Sequence, residues 1–124
     1  MKLLIVEDNP GVRKVIRDLV AGVASEICEC ADGAEVLALF RLERPDFVLM
    51  DIQMEDVDGI TATRQITAAD PTARVIIVTN YDEPDLREAA FQAGACRYVS
   101  KENLLELVCL LKELANKKEQ SDHG

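Results

Sequence analysis

The sequence predicts an α/β protein: a doubly wound, five-stranded parallel sheet, (βα)5, with helices on both faces. Three observations carry this. Short apolar runs alternate five times with segments of helical period. Leu3–Val6, Phe47–Met50 and Val75–Val78 are apolar without interruption, the pattern of parallel strands covered on both faces. Gly, Pro or Asp punctuates most hand-overs between elements, and right-handed crossovers then wind the sheet both ways.

Each element follows in order. Leu3–Val6 is the first strand. Val12, Val15, Ile16, Leu19, Val20 and Val23 give the i, i+3, i+4, i+7 stripe of the first helix. Ile27–Cys30 is a weaker strand, with Cys28 and Cys30 facing one way as packed, reduced thiols. Asp32 and Glu35 read as a capping box, opening a helix that ends near Glu43, ahead of Pro45. Phe47–Met50 is the third strand. Asp58-Gly59 starts a helix that ends near Asp70-Pro71. Val75–Val78 is the fourth strand. Pro84 suits the first turn of a helix whose C′ glycine is Gly94. Tyr98–Ser100 is a short fifth strand. Asn103 to about Lys117 forms the last helix, with Asn103 and Glu106 as a cap pair. Its residues Leu104, Val108, Leu111 and Ala115 share a face flanked by Leu107 and Leu114, while Leu105 and Cys109 point elsewhere. Residues 1–116 form one domain, and residues 117–124 read as a flexible tail or linker stub.

Composition narrows the function. A chain of 124 residues, 48% of them apolar, can bury a core and is not a disordered tail. No apolar run approaches the roughly 18 residues of a membrane span. Met1–Val6 is too short for a signal peptide and meets Glu7-Asp8 at once. A cytoplasmic location and no membrane partner are therefore expected. A net charge of −9 argues against direct nucleic-acid binding and suits cations or basic partner surfaces. The four cysteines form no C-x-x-C pair, and the only histidine, His123, sits in the polar tail, which leaves no zinc pattern.

Sites in doubly wound sheets form at the carboxyl ends of the strands. Here those ends are Glu7-Asp8, Asp51, Thr79 and Ser100-Lys101. Clustered carboxylates repel one another, and a hard divalent cation such as Mg²⁺ relieves the repulsion. A lysine and a hydroxyl beside them can hold an anion such as a phosphoryl group. Taken singly, each residue has a plainer role: loop acid, helix cap, strand hydroxyl, surface lysine, core tyrosine. Their joint placement at one sheet edge is what favours chemistry.

In Glu7-Asp8, Asp51, Thr79, Tyr98 and Lys101, with Asp58-Gly59 and Gly94-Ala95 between them, the sequence resembles the receiver domains of two-component response regulators. The resemblance runs from Lys2 to about Leu114. It implies the CheY-like, flavodoxin-like fold with strand order 2-1-3-4-5. It implies that Asp51 accepts a phosphoryl group from a histidine kinase or phosphotransfer protein. Glu7, Asp8, Asp51 and the backbone carbonyl of Gln53 would hold Mg²⁺. Lys101 would pair with the phosphoryl oxygens and Thr79 would bond to them. Tyr98 would swing inward behind Thr79, changing the surface of helix four, strand five and helix five. That surface would control an output domain, a partner or a phosphorylation-dependent homodimer. The domain would catalyse only its own phosphoryl uptake and autodephosphorylation, and would not be an enzyme otherwise.

The chain departs from the family pattern in places. Glu7 stands where Asp is commoner, which lengthens the arm but keeps the carboxylate. Glu55 and Glu102 stand where prolines are frequent, and Asn80 where Ala or Gly is usual. Gln53 and Tyr81 hold the two variable positions flanking the site. With Asn80 they are expected to tune the phosphoryl lifetime, in a direction the sequence leaves open. Lys101–Leu107, without the proline, looks like receivers of LuxR-type transcription factors. The expectation is therefore a receiver cut from a transcriptional regulator, with a stand-alone receiver as the alternative. A haloacid-dehalogenase-type phosphatase would want an acid at position 53. A flavodoxin-like cofactor binder would want a hydroxyl- and glycine-rich loop after strand one. A pseudo-receiver would show a broken site.

Overall fold

The structure, a computed structural model, describes residues 1–54 and 56–122, with side chains described as far as Asn116. In chain order the elements are β1 (Lys2–Val6), α1 (Pro10–Val20), β2 (Glu26–Cys30), a 3₁₀ turn (Gly33–Glu35), α2 (Val36–Glu43), β3 (Phe47–Met50), α3 (Gly59–Ala69), β4 (Val75–Thr79), α4 (Pro84–Gln92), β5 (Arg97–Ser100), a second 3₁₀ turn (Lys101–Asn103) and α5 (Leu104–Asp122). All five strands pair in parallel, in the order β2-β1-β3-β4-β5.

Every residue of β3 and β4 is buried, so no polar face interrupts either run. Alternation within the strands then feeds two cores. Leu4, Val6, Val48, Met50, Val75 and Ile77 face α2, α3 and α4, where they meet Val36, Phe40, Ala62, Ile66 and Ala90. Leu3, Ile5, Phe47, Leu49, Ile76 and Val78 face α1 and α5, where they meet Ile16, Val20, Leu107 and Leu111. Each fully buried Leu or Ile contributes about 1.5–3 kcal/mol of transfer free energy. Cys28 and Cys30 share the first of these layers, and all four cysteines are free.

The register decides where the site forms. Val6 lies opposite Met50, and Thr79 opposite Ser100. The ladder runs one residue further at the ends of β1 and β3, through Glu7 N–H to the Cys30 carbonyl and Asp51 N–H to the Val6 carbonyl, both at 3.0 Å. Glu7 and Asp51 therefore leave adjacent strands at the same level, with their backbones fixed.

Several local expectations change. Asp32 caps the first 3₁₀ turn, accepting from Ala34 N–H at 2.9 Å, and α2 begins only at Val36. Glu35 does not complete a capping box; it is the N-cap of α2 and makes no side-chain cap bond. Ser100 likewise caps the second 3₁₀ turn, accepting from Glu102 N–H at 3.1 Å. Asn103 still donates to Glu106 at 3.2 Å, but side chain to side chain. Helix α1 stops at Val20, short of Val23, and Val15 is half exposed. Asn9 caps it, accepting from Gly11 and Val12 N–H, with Pro10 in its first turn. On α5 the buried stripe centres on Leu107 and Leu111, so Val108 and Ala115 lie beside it. Leu105 and Cys109 are exposed as expected. The α5 backbone runs as helix to Asp122, through most of the segment read as tail or linker. Glu55, His123 and Gly124 lie outside the described residues. Gly94, at φ 111°, ends α4 in the left-handed region as the C′ glycine should.

Candidate functional site

The carboxyl edge of the sheet opens into a cleft of about 850 Å³, lined by Glu7, Asp8, Asp51, Gln53, Asn80 and Lys101 among others. Carboxylate oxygens of Glu7, Asp8 and Asp51 come within 4.8 Å of one another. Glu7 and Asp51 are buried, while Asp8 is exposed. Lys101, brought in by the turn after β5, sets Nζ 2.8 Å from Glu7 Oε2 and 3.1 Å from Asp51 Oδ2. It spans both buried carboxylates.

The electrostatics follow from this crowding. Burial pushes the Glu7 carboxyl above its ordinary value; Asp51 adds to the rise, and Lys101 opposes it. Burial pulls the Lys101 ammonium down, but hydrogen bonding and charge from Glu7 and Asp51 outweigh it, and the net shift is upward. The Glu7–Lys101 contact, at 2.8 Å, is a buried ion pair. Three carboxylates gathered within 4.8 Å, with one lysine set against two of them, fit a hard cation with oxygen ligands. The donor set thus suits Mg²⁺, and Glu7 fits it despite its extra methylene.

The remaining predicted residues fall nearby. Thr79 ends β4, fully buried, and its Oγ1 accepts from Tyr81 N–H at 3.2 Å. Asn80 lines the cleft and is exposed. Tyr81 OH donates to Gln53 Oε1 at 3.0 Å, joining the two variable positions across 28 residues of sequence. Tyr98 lies inside: 9% exposed, its OH donates to the Tyr81 carbonyl. Its ring sits 5.0 Å below the Arg87 guanidinium and 6.5 Å from the Phe91 ring. Burial pushes the Tyr98 phenol above its ordinary value. Tyr98 is thus buried among the Tyr81 backbone, Arg87 and Phe91. Asp58 caps α3, accepting from Thr61 N–H at 2.8 Å, and Asp56 is an exposed loop residue.

Sequence reasoning missed one neighbour of the site. A Cβ on Gly59 would stand 1.9 Å from the Asp51 carbonyl oxygen, so the start of α3 lies flat against the backbone that carries Asp51. The Gly59 N–H also donates to the Ile52 carbonyl at 2.8 Å. A glycine in the first turn of a helix that already has an Asp cap was the available signal, since glycine is a poor helix former.

A parallel sheet in the order 2-1-3-4-5, with three acids and a lysine at its carboxyl edge, defines a class of acidic-pocket α/β domain. Comparison with known proteins places the chain within that class. The family model for the response regulator receiver domain matches residues 3–112. The chain is 34% identical over 101 residues to the chemotaxis protein CheY of Bacillus subtilis, covering 81% of this chain and 84% of that protein. It is 40% identical over 105 residues to protein-glutamate methylesterase/protein-glutamine glutaminase 3 of Anaeromyxobacter dehalogenans, covering 82% of this chain but only 30% of that protein. Among solved structures it superposes on a LuxR-family two-component response regulator from Aurantimonas sp. SI85-9A1 with a TM-score of 0.85 and 34% identity, over 91% of this chain and 83% of that one. The chain belongs to the response regulator receiver family and is a receiver domain of two-component signalling.

Proposed function

We propose that this receiver takes a phosphoryl group on Asp51 and uses it to reset the surface formed by α4, β5 and α5. The observation that carries the reading is Lys101, whose ammonium bridges Glu7 and Asp51 within the cleft. A carboxylate held beside a lysine, at a strand end, on a fixed backbone, is placed to attack phosphorus. In that step an Asp51 oxygen bonds to phosphorus and the donor's bond to phosphorus breaks. Lys101 moves its pairing from the carboxylate to the phosphoryl oxygens, and the Thr79 hydroxyl donates to one of them. Glu7, Asp8, Asp51 and the Gln53 carbonyl would hold Mg²⁺. When bound, the ion supplies charge that offsets the carboxylates and the incoming phosphoryl oxygens.

The phosphoryl donor is a histidine kinase or phosphotransfer protein, and the domain's own chemistry is limited to uptake and loss of the group. No helix among the described residues is long and apolar enough to cross a membrane, which agrees with a cytoplasmic site of action. For output, the likeness to a LuxR-family regulator favours control of a transcriptional output domain. The likeness to CheY keeps a stand-alone receiver as the second reading. Leu105, 69% exposed on α5, offers apolar surface for a phosphorylation-dependent homodimer, which sedimentation with and without a phosphoryl mimic would detect.

The direct test is intact mass after incubation with Mg²⁺ and a small phosphodonor such as acetyl phosphate. Wild type gains one phosphoryl group and Asp51→Ala gains none. Equal labelling of the two proteins removes Asp51 as the acceptor.

A further inference from the structure

We propose that Arg13 is a positioning residue for the metal site: it fixes the peptide that joins Glu7 to Asp8 and so sets the direction in which Asp8 presents its carboxylate. The proposal rests on the reading of Glu7, Asp8 and Asp51 as Mg²⁺ ligands, and it adds a residue from outside that set.

The contact is direct. Arg13 Nη1 donates to the Glu7 carbonyl at 2.8 Å. A peptide is planar, so a bond to the Glu7 carbonyl also fixes where the Asp8 N–H and Cα lie. The preceding peptide is held as well, because Glu7 N–H donates to the Cys30 carbonyl. Glu7 is thereby gripped on both sides of its Cα, once by the sheet and once by a side chain. The two acids differ in what else holds them. Glu7 Oε1 accepts from Asn9 N–H at 3.3 Å, and Oε2 pairs with Lys101. Asp8 is exposed, yet its carboxylate comes within 4.8 Å of those of Glu7 and Asp51. The joining peptide is what aims it.

Arg13 stands on a firm base. Its backbone N–H donates to the Asn9 carbonyl at 2.9 Å, in the first turn of α1. Asn9 caps that turn through Gly11 and Val12 N–H, and Pro10 has its φ locked by its ring. The guanidinium has a second hold. Nε donates to Glu29 Oε1 at 3.2 Å, and the other carboxylate oxygen of Glu29 accepts from Arg17. Glu29 lies on β2, an edge strand, so Arg13 ties the sheet edge to the loop after β1. A planar fork can serve a carbonyl and a carboxylate at once, whereas a lysine ammonium is a point charge on a flexible stem.

Electrostatics gives the proposal a sign. A guanidinium that merely stood near three carboxylates would repel an incoming divalent cation, and its removal would tighten Mg²⁺ binding. A guanidinium that positions Asp8 does the reverse, because it holds that carboxylate beside the other two before the ion arrives. Residues that orient metal ligands from behind typically contribute about 10- to 100-fold to metal affinity.

The test measures Mg²⁺ binding to the unphosphorylated full chain by isothermal titration calorimetry at about pH 7, with the urea midpoint of each variant recorded alongside. Arg13→Met keeps an unbranched stem and removes the charged fork. It is expected to bind Mg²⁺ about tenfold more weakly. Arg13→Lys keeps the charge and is expected to fall between the two. In an Asp8→Asn background, Arg13→Met is expected to change Mg²⁺ affinity little, because the carboxylate it aims is gone. Unchanged or tighter binding in Arg13→Met overturns the proposal. So does an equal loss in both backgrounds, which marks general damage to the loop. If Arg13→Met does not fold, Arg13→Lys decides in its place: weaker binding supports the proposal and unchanged binding overturns it. If wild type itself binds no Mg²⁺, the metal reading fails at that first titration and the proposal falls with it.

Discussion

Lys101 is 11% exposed and its ammonium meets two carboxylates within 3.1 Å, so removing it strands charge in a buried place. Breaking a buried ion pair from one side costs about 3–5 kcal/mol. Lys101→Ala is expected to lose about 3 kcal/mol of unfolding free energy in Mg²⁺-free buffer, read from urea denaturation. Added Mg²⁺ is expected to restore part of that loss; a variant as stable as wild type would show that the lysine relieves nothing. Glu7 behaves in the opposite sense. Its folded value lies above the ordinary 4.5, chiefly because burial disfavours the ionised form. Its stabilising contribution is therefore present below pH 4.5 and is lost as pH rises through the folded value. At neutral pH without cation, ionised Glu7 is a cost. Glu7→Gln is expected to raise the Mg²⁺-free melting temperature at pH 7 and to weaken Mg²⁺ binding in calorimetry. A lowered melting temperature would mean that the bond to Lys101 outweighs the repulsion from Asp51.

At the scale of elements, the contact between α3 and the end of β3 is the tightest constraint on the site. Gly59→Ala places a methyl 1.9 Å from the Asp51 carbonyl oxygen, a distance no relaxed structure tolerates. Overpacking of this kind costs about 1–3 kcal/mol. The displaced segment carries Asp51, so slower phosphoryl uptake in the mass assay is expected together with a lower urea midpoint. A second junction ties β1 to the end of α2. Lys2 Nζ lies 2.7 Å from Glu43 Oε2, and this bond holds the Glu43 carboxyl below its ordinary 4.5. A lowered folded value means stability present above pH 4.5 and lost as pH falls through that lower value. Glu43→Gln is expected to reduce the urea midpoint slightly at pH 7 and to match wild type once the medium is acid enough to protonate Glu43 in both states. A gap that persists in acid would assign the effect to packing instead of charge.

Across the whole molecule, what was legible in the sequence depended on the range of the interaction. The central strands were readable because a strand buried on both faces must be apolar at every position, and Phe47–Met50 and Val75–Val78 are. The acids and the lysine were readable because strand ends converge in a parallel sheet, whatever the loops do. The two 3₁₀ turns were not, because a side-chain cap such as Asp32 or Ser100 serves either kind of turn equally well. The centre of the α5 stripe was misplaced because Leu occupies positions on several faces of that helix, so periodicity alone chose poorly between Leu107 and Val108. The bond from Tyr81 to Gln53 and the contact of Gly59 with Asp51 were invisible for another reason. Both depend on atomic distances between loops and a helix start, which no residue pattern encodes.

The chain has two tyrosines and no tryptophan. Tyr81 is bonded to the residue two places past Asp51, and Tyr98, buried beneath Arg87, donates to the Tyr81 carbonyl. All of the intrinsic tyrosine emission of this protein therefore arises from the part that is expected to respond. Unlabelled wild-type protein can serve as its own optical sensor. Adding Mg²⁺ and then a phosphodonor should change that emission in two resolvable steps, and Tyr98→Phe should leave only the contribution of Tyr81.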